Sequence, residues 1–263
     1  MAMQQAVRRY AIDHHSVRIS VARGGRGRLL VFCPGLSSTQ ADLHELVELL
    51  RRDFDVVTSD LRGHGLSSAA ASYRFEDFLS DLEAVMAHLA PAASLLVGYS
   101  LGADLAVHYA AEHPERVEEL VLIDGANPVP EPFITDEDLP MFRAMWEQMA
   151  EQQMSLRGTA KQVLLDARQI LALNQEIDAV RADILERYRR IDKPITMIMS
   201  TEMAGANAEG RAAELNQNWQ AGIERLVRDQ PQINTFRLDA DHQLVLTHAQ
   251  AVADIMRSTL VRC

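Results

Sequence analysis

Gly98-Tyr99-Ser100-Leu101-Gly102 sets a serine between two glycines. It directly follows the apolar run SLLVG (94–98) and directly precedes an amphipathic run that opens at Leu101. At such a strand-to-helix turn the serine takes a strained backbone and its hydroxyl stands clear of the sheet. The turn closes only if the residues two positions to either side are small. The start of a helix also supplies a dipole and free N–H groups that favour a developing anion. A glycine-flanked serine can equally be a helix cap; the strand before it and the helix after it favour a nucleophile for acyl transfer.

A serine hydroxyl needs a base within hydrogen-bond reach, and nine histidines compete for that role. His14 and His15 precede the first strand-like run. His44, His88, His108 and His113 fall on or at the ends of helical runs, and His248 lies near the start of the last helix. His64, inside Arg62-Gly63-His64-Gly65, occupies a glycine loop and is the rival. His242 closes Asp239-Ala240-Asp241-His242, immediately after the last strand-like run. In a parallel sheet that loop opens on the same edge as Ser100, so His242 is the expected base.

The elements that must position these groups are legible from periodicity. The run 17–22 (VRISVA) alternates as a half-exposed strand does. RLLVFC (28–33), FDVVTS (54–59), SLLVG (94–98) and ELVLI (119–123) are short apolar runs. Helical spacing covers 42–52, 75–89 and 101 to about 113 between them. Strands apolar on both faces, each followed by a helix, predict a doubly wound α/β fold with a parallel sheet covered on both sides. Four such strands are too few for a closed eight-stranded barrel. From 127 to 191 no strand is expected: DEDLPMFRAMWEQMAEQQM, KQVLLDARQILAL and EIDAVRADILERYRRI read as two or three helices, approached through Pro128, Pro130, Pro132 and Pro140. Strands return at ITMIMS (195–200) and NTFRL (234–238), with helices over about 209–228 and 249–260. A helical insertion of this kind follows the C-terminal end of a strand, where open α/β sheets bind ligands, and can serve as a lid. The expected division is a core of 1–126 with 192–263 and a lid of 127–191.

A chain of 263 residues with 48% hydrophobic residues can bury a large core without metal or disulfide. Its net charge of −11 argues against nucleic acid and against an anionic membrane surface, and is the ordinary charge of a soluble protein. The two cysteines, Cys33 in an apolar run and Cys263 at the end, are not expected to pair. With no apolar segment of signal-peptide or membrane-span length, the expectation is a soluble cytoplasmic protein. No cluster with metal-ligand spacing is seen, so neither metal nor organic cofactor is expected.

Four pieces in order resemble the α/β-hydrolase superfamily, in its lidded branch of esterases, lactonases and carbon–carbon bond hydrolases. They are Pro34-Gly35-Leu36 after RLLVFC, DLRGHGLSS (60–68), GYSLG (98–102) and Asp241-His242. The resemblance runs from about residue 28 to the C-terminus. It implies a mostly parallel eight-stranded sheet with the lid inserted after the sixth strand. It also implies an oxyanion hole made by the N–H groups of Leu36 and Leu101. The first piece is usually His-Gly; here it is Pro34-Gly35, which leaves a backbone hole intact. In most of the family the acid that orients the histidine follows the strand here read as ITMIMS, where this chain has Glu202 and no aspartate. Some branches, certain dehalogenases and the cofactor-free dioxygenases among them, carry it one strand earlier, where Asp124 ends ELVLI. Asp124 is the preferred acid and Glu202 the alternative.

The implied reaction is hydrolysis of a small, largely apolar ester or lactone through an acyl-enzyme. The same residues admit a cofactor-free dioxygenase of a quinolone-type heteroaromatic, a carbon–carbon bond hydrolase or, least of all, a non-catalytic ligand-binding protein. Phe142, Met145, Met149 and Met154, with Trp146 beside Met145, fall near helical spacing in the insertion. Such a stripe more often packs a core; facing a cleft, it suits a variably shaped apolar or aromatic group.

Overall fold

The computed structural model describes residues 6–90 and 93–260. Its sheet contains β1 (Arg8–His14), β2 (Val17–Gly25), β3 (Arg28–Cys33), β4 (Phe54–Ser59), β5 (Ser94–Tyr99), β6 (Val117–Ile123), β7 (Ile195–Ser200) and β8 (Asn234–Leu238). They lie side by side in the order β1-β2-β4-β3-β5-β6-β7-β8. β1 and β2 run antiparallel at one edge, and β3 to β8 are parallel. Periodicity did not single out β1. Its residues RRYAIDH are mostly exposed, so it carries little of the apolar signal that marks the inner strands.

Successive side chains of a strand leave opposite faces of the sheet. In β3, Leu30 and Phe32 enter the core on one face, while Val31 and Cys33 enter the core on the other. On the first face the sheet is covered by α1 (His44–Leu50), the short α8 (Leu244–Thr247) and α9 (Ala249–Leu260). On the second face pack α2 (Phe75–Leu89), α3 (Leu101–Glu112) and α7 (Arg211–Asp229). Cys33 is a buried free thiol whose pKa burial pushes up to about 12; Cys263 lies outside the described residues. No helix among the described residues is long and apolar enough to cross a membrane.

Between β6 and β7 the chain makes a helical excursion through α4 (Leu139–Met154), α5 (Ala167–Ala182) and α6 (Ile184–Tyr188). Pro140 sits in the first turn of α4, where its missing N–H costs nothing. The stretch KQVLLD, expected to be helical, is not. Val163 forms an antiparallel bridge with His64, and α5 starts only at Ala167, after Asp166 and Gln169 form a reciprocal capping box. The backbone of 162–164 is drawn away from the helix by partners distant in sequence: Leu164 N–H donates to Gly63 C=O, and Gln162 C=O accepts from Gly65 N–H.

The loop 60–68 ties these layers together. The buried Asp60 carboxylate accepts from the Gln40 and Leu66 backbone N–H groups and from the Gln40 amide. The Arg62 guanidinium makes a two-pronged bond to Asp81 on α2, at 2.7 and 2.8 Å, with both side chains buried. A buried pair of this kind need not add net stability, but breaking it strands a charge away from water. Asp81→Ala is expected to lower the unfolding free energy by roughly 3–5 kcal/mol, read by urea denaturation. Asp13→Ala, which breaks the exposed Arg18–Asp13 pair, is expected to leave it almost unchanged.

Two buried histidines set the acid response. Burial takes His64 from an ordinary 6.5 down to about 4 and also depresses His108 on α3. The unfolded chain therefore binds a proton that folded His64 refuses throughout that window. The contribution of His64 to stability is complete above about pH 6.5 and is lost as the pH drops toward 4, by roughly 1.4 kcal/mol per pH unit for one such group. Denaturation across this range checks it: His64→Gln is expected to flatten the slope, and an unchanged slope in that variant excludes His64 as its source.

Candidate active site

Ser100 stands at the end of the ladder that pairs β5 with β6. Its N–H donates to Ile123 C=O at 2.9 Å, and α3 begins at the next residue. Its backbone, φ 52° and ψ −122°, lies in the left-handed region, a conformation that costs on the order of 1–3 kcal/mol for a side-chain-bearing residue. The surrounding packing enforces it. A Cβ at Gly98 would run into the Gly102 carbonyl, and one at Gly102 into the Cys33 carbonyl. Both glycines are therefore required for β5, α3 and β3 to meet here.

Asp124 occupies the equivalent place on the next strand. Its N–H donates to Ile198 C=O at 2.9 Å, its φ is 44°, and its side chain is wholly buried. A carboxylate removed from water must be solvated by the protein. Ser200 at the end of β7 supplies its backbone N–H at 2.7 Å and its hydroxyl, 2.8 and 2.9 Å from the two carboxylate oxygens. The Trp219 indole N–H on α7 donates from 3.2 Å.

His242 completes the arrangement. Its Nδ1 lies 2.8 Å from Asp124 Oδ2 and its Nε2 2.9 Å from Ser100 Oγ. With Nδ1–H donated to the carboxylate, Nε2 carries the lone pair that can accept the serine proton. The ring packs against Tyr99 and, edge to face, Trp219. The Tyr99 hydroxyl donates to the His242 carbonyl at 2.9 Å, and burial raises the Tyr99 phenol above its ordinary range, which keeps the donor protonated.

The structure thus brings Ser100, His242 and Asp124 into one hydrogen-bonded chain and leaves the alternative acid outside it. Glu202 lines a surface groove with Asn216 and Gln220, and its backbone N–H donates to Ala240. His64, the rival base, is fully buried, and its ring is engaged by Arg62 C=O and Ser37 N–H. Leu36 and Leu101 both border the cavity above Ser100. Leu101 N–H, first in α3, has no acceptor within its own helix and can face an oxyanion.

Sequence reasoning passed over Ser200 and Trp219. The serine that ends the apolar run ITMIMS was a visible signal, since a polar side chain at the buried end of a strand needs a partner. Trp219 gave none, because an indole at an apolar helix position is indistinguishable from core.

The cavity over Ser100 has a volume of about 420 Å³. Phe142, Met145, Trp146 and Met149 of α4 line it together with Phe133 and Ile177, so most of the methionine stripe faces a cleft. Met154 does not; it is 64% exposed at the end of α4. Two charged groups also reach the wall. Arg181 spends its Nε and Nη2 on a buried two-pronged bond to Asp104, at 2.9 and 2.7 Å. Asp178 accepts the Ile134 N–H at 3.0 Å, and burial raises its carboxyl pKa. The Arg181 guanidinium is thus already neutralised, while Asp178 accepts from the backbone N–H groups of Phe133 and Ile134.

Comparison with known proteins agrees with this architecture. A family model described as alpha/beta hydrolase fold matches residues 28–244. The chain is 27% identical to the 2-(acetamidomethylene)succinate hydrolase of Mesorhizobium japonicum over 233 residues, 78% of this chain and 82% of that one. It is 30% identical to the N-formylmaleamate deformylase of Pseudomonas putida over 156 residues, 51% of this chain and 57% of that one. Among solved structures, a carboxylesterase of the thaumarchaeon Nitrososphaera gargenis superposes with a TM-score of 0.73 at 18% identity, covering 95% of this chain and 97% of the other; at that identity the likeness is one of fold. On the sheet, the helices around it and the family model that spans most of its length, the chain belongs to the α/β-hydrolase fold family.

Proposed function

We propose that this α/β hydrolase is a serine hydrolase that cleaves a small, neutral, largely apolar ester or lactone through an acyl-enzyme. The observation that carries the reading is the Ser100–His242–Asp124 hydrogen-bonded chain, with links of 2.9 and 2.8 Å, opening into a cavity walled by apolar side chains. In the proposed cycle Ser100 Oγ bonds to the substrate carbonyl carbon as its proton passes to His242 Nε2. The oxyanion is met by the N–H groups of Leu36 and Leu101. Collapse breaks the carbon–oxygen bond of the leaving group, which takes the proton from His242. Water, deprotonated by the same nitrogen, then releases the acid and restores the serine. Asp124 holds the imidazole in the required tautomer and stabilises its cation. The excursion 127–191 acts as the lid over a core of 1–126 and 192–263.

The charge of the wall supports a neutral substrate. The names of the two relatives point to substrates built on succinate and maleamate, which carry carboxylates. Here Arg181 is neutralised by Asp104, and Asp178 would face such a group with like charge. A second reading, a cofactor-free dioxygenase in which His242 and Asp124 act as a base toward a heteroaromatic substrate, draws on the acid following β6 rather than β7.

Labelling with a fluorophosphonate, followed by intact mass, tests the nucleophile. One adduct is expected on the wild type and none on Ser100→Ala or His242→Ala. An unlabelled wild type that consumes oxygen with a hydroxyquinolone, and loses this with Asp124→Ala, replaces the first reading with the second. Asp124→Asn is expected to lower kcat on the order of 10³–10⁴-fold, measured with p-nitrophenyl butyrate.

Selectivity tests the substrate class. The wild type is expected to favour p-nitrophenyl butyrate over the p-nitrophenyl monoester of succinate by at least about tenfold in kcat/KM, or ~1.4 kcal/mol. Asp178→Asn is expected to narrow that gap through gain on the anionic ester. Equal turnover of both esters by the wild type contradicts a neutral-substrate pocket.

A further inference from the structure

The strand β3 ends in a tight turn, closed by Ser38 N–H donating to Gly35 C=O at 3.1 Å. Ser37, the third residue of this turn, has φ 63°, the left-handed conformation that a type II turn demands and that serine adopts reluctantly. In such a turn the peptide between the second and third residues is the plane that flips when the turn changes type. Here that plane joins Leu36 to Ser37. Its N–H is taken by a side chain: Ser37 N–H donates to His64 Nε2 at 3.1 Å.

His64 can accept only as the tautomer with its proton on Nδ1, and the protein secures that tautomer. Nδ1–H donates to Arg62 C=O at 2.9 Å. Arg62 is itself anchored through its guanidinium to Asp81 and to the Ser72 carbonyl. Wholly buried, the ring stays neutral at ordinary pH. On its other side the backbone of this loop is clamped by the helical excursion: Leu164 N–H donates to Gly63 C=O at 2.7 Å, Gly65 N–H to Gln162 C=O at 2.8 Å, and the Gln162 amide to Gly65 C=O at 2.8 Å. The stretch between α4 and α5 is therefore bonded to Gly63 and Gly65, the two residues that flank His64, and the His64 ring is bonded to the peptide next to Leu36.

We propose that His64 is a positioning residue that fixes the Leu36–Ser37 peptide and thereby the oxyanion loop, and that it ties this loop to the helical excursion over the cavity. Its role in turnover rests on the serine-hydrolase reading; its hold on the loop does not. His64 touches neither Ser100 nor the cavity over it, so it acts on the reaction only through the loop. A donor moved by a fraction of an ångström binds a ground-state carbonyl about as well but meets the developing oxyanion poorly, so the loss falls on kcat.

The test compares His64→Phe, which fills the site without an acceptor, with His64→Gln, whose amide oxygen can take the Ser37 N–H. In His64→Phe, kcat for p-nitrophenyl butyrate is expected to fall roughly 10- to 100-fold, with KM little changed. The rate of fluorophosphonate labelling should fall by the same factor, and His64→Gln should recover most of both. Hydrogen exchange at the Ser37 amide supplies a readout independent of activity: slow in the wild type, faster in His64→Phe, slow again in His64→Gln. If phenylalanine overfills the site and the variant does not fold, His64→Leu takes its place. A folded variant without the acceptor that keeps the wild-type kcat and slow Ser37 exchange overturns the proposal, as does a glutamine variant no better than phenylalanine. A wild type that never labels, but whose Ser37 amide is released by His64→Phe, removes the hydrolase reading and leaves His64's hold on the loop standing.

Discussion

A carboxylate with no contact with water, Asp124, sits at the C-terminal end of a central strand. Much of the site follows from the need to solvate it. Its donors come from three places the chain reaches far apart in sequence: Ser200 at the end of β7, Trp219 on α7 and His242 after β8. Each of these elements is held where it is partly because that carboxylate is there. Removing any one donor leaves a buried acceptor short of a partner, a cost that falls on stability and on imidazole orientation together. The position of the acid directly after β6 also gives a role to the residue that ends β7. That residue is a serine, whose N–H and hydroxyl both donate to the acid.

The same logic recurs away from the reacting atoms. Arg62–Asp81 and Arg181–Asp104 are buried two-pronged pairs, one behind the loop that carries His64 and one at the back of the cavity. Neither is expected to add much net stability over an apolar pair. Each fixes the orientation of a segment that borders the site. Arg181 brings α5 of the excursion onto α3, which begins one residue after Ser100, so the excursion and the helix that follows Ser100 share one buried ion pair.

Membership of a fold family leaves the substrate open, and the charged groups at the wall of the cavity bear on it. A cation that could have met a carboxylate is already bonded to Asp104, and the next ionisable group along α5 is Asp178.

Most of the strands, most of the helices and the chemistry-bearing serine and histidine are legible in the sequence. Those features are encoded by short-range pattern: apolar runs with period-two or helical spacing, and glycines two residues either side of Ser100 that no bulkier residue can replace. Through the family resemblance Asp124 is preferred to Glu202 as the acid, but the pattern of the chain alone leaves both open, because the choice depends on which loop lies over which strand end. That pattern missed β1, whose exposed edge carries little apolar signal, and it read KQVLLD as helix, because the bonds that Gln162 and Leu164 make to Gly63 and Gly65 outweigh a local preference. That Ser200 and Trp219 solvate the acid, that His64 accepts from the Ser37 amide, and that Arg181 is already paired emerge from the fold alone. These are all contacts between residues dozens of positions apart, and a hydrogen bond made across a folded sheet leaves no periodicity in the chain.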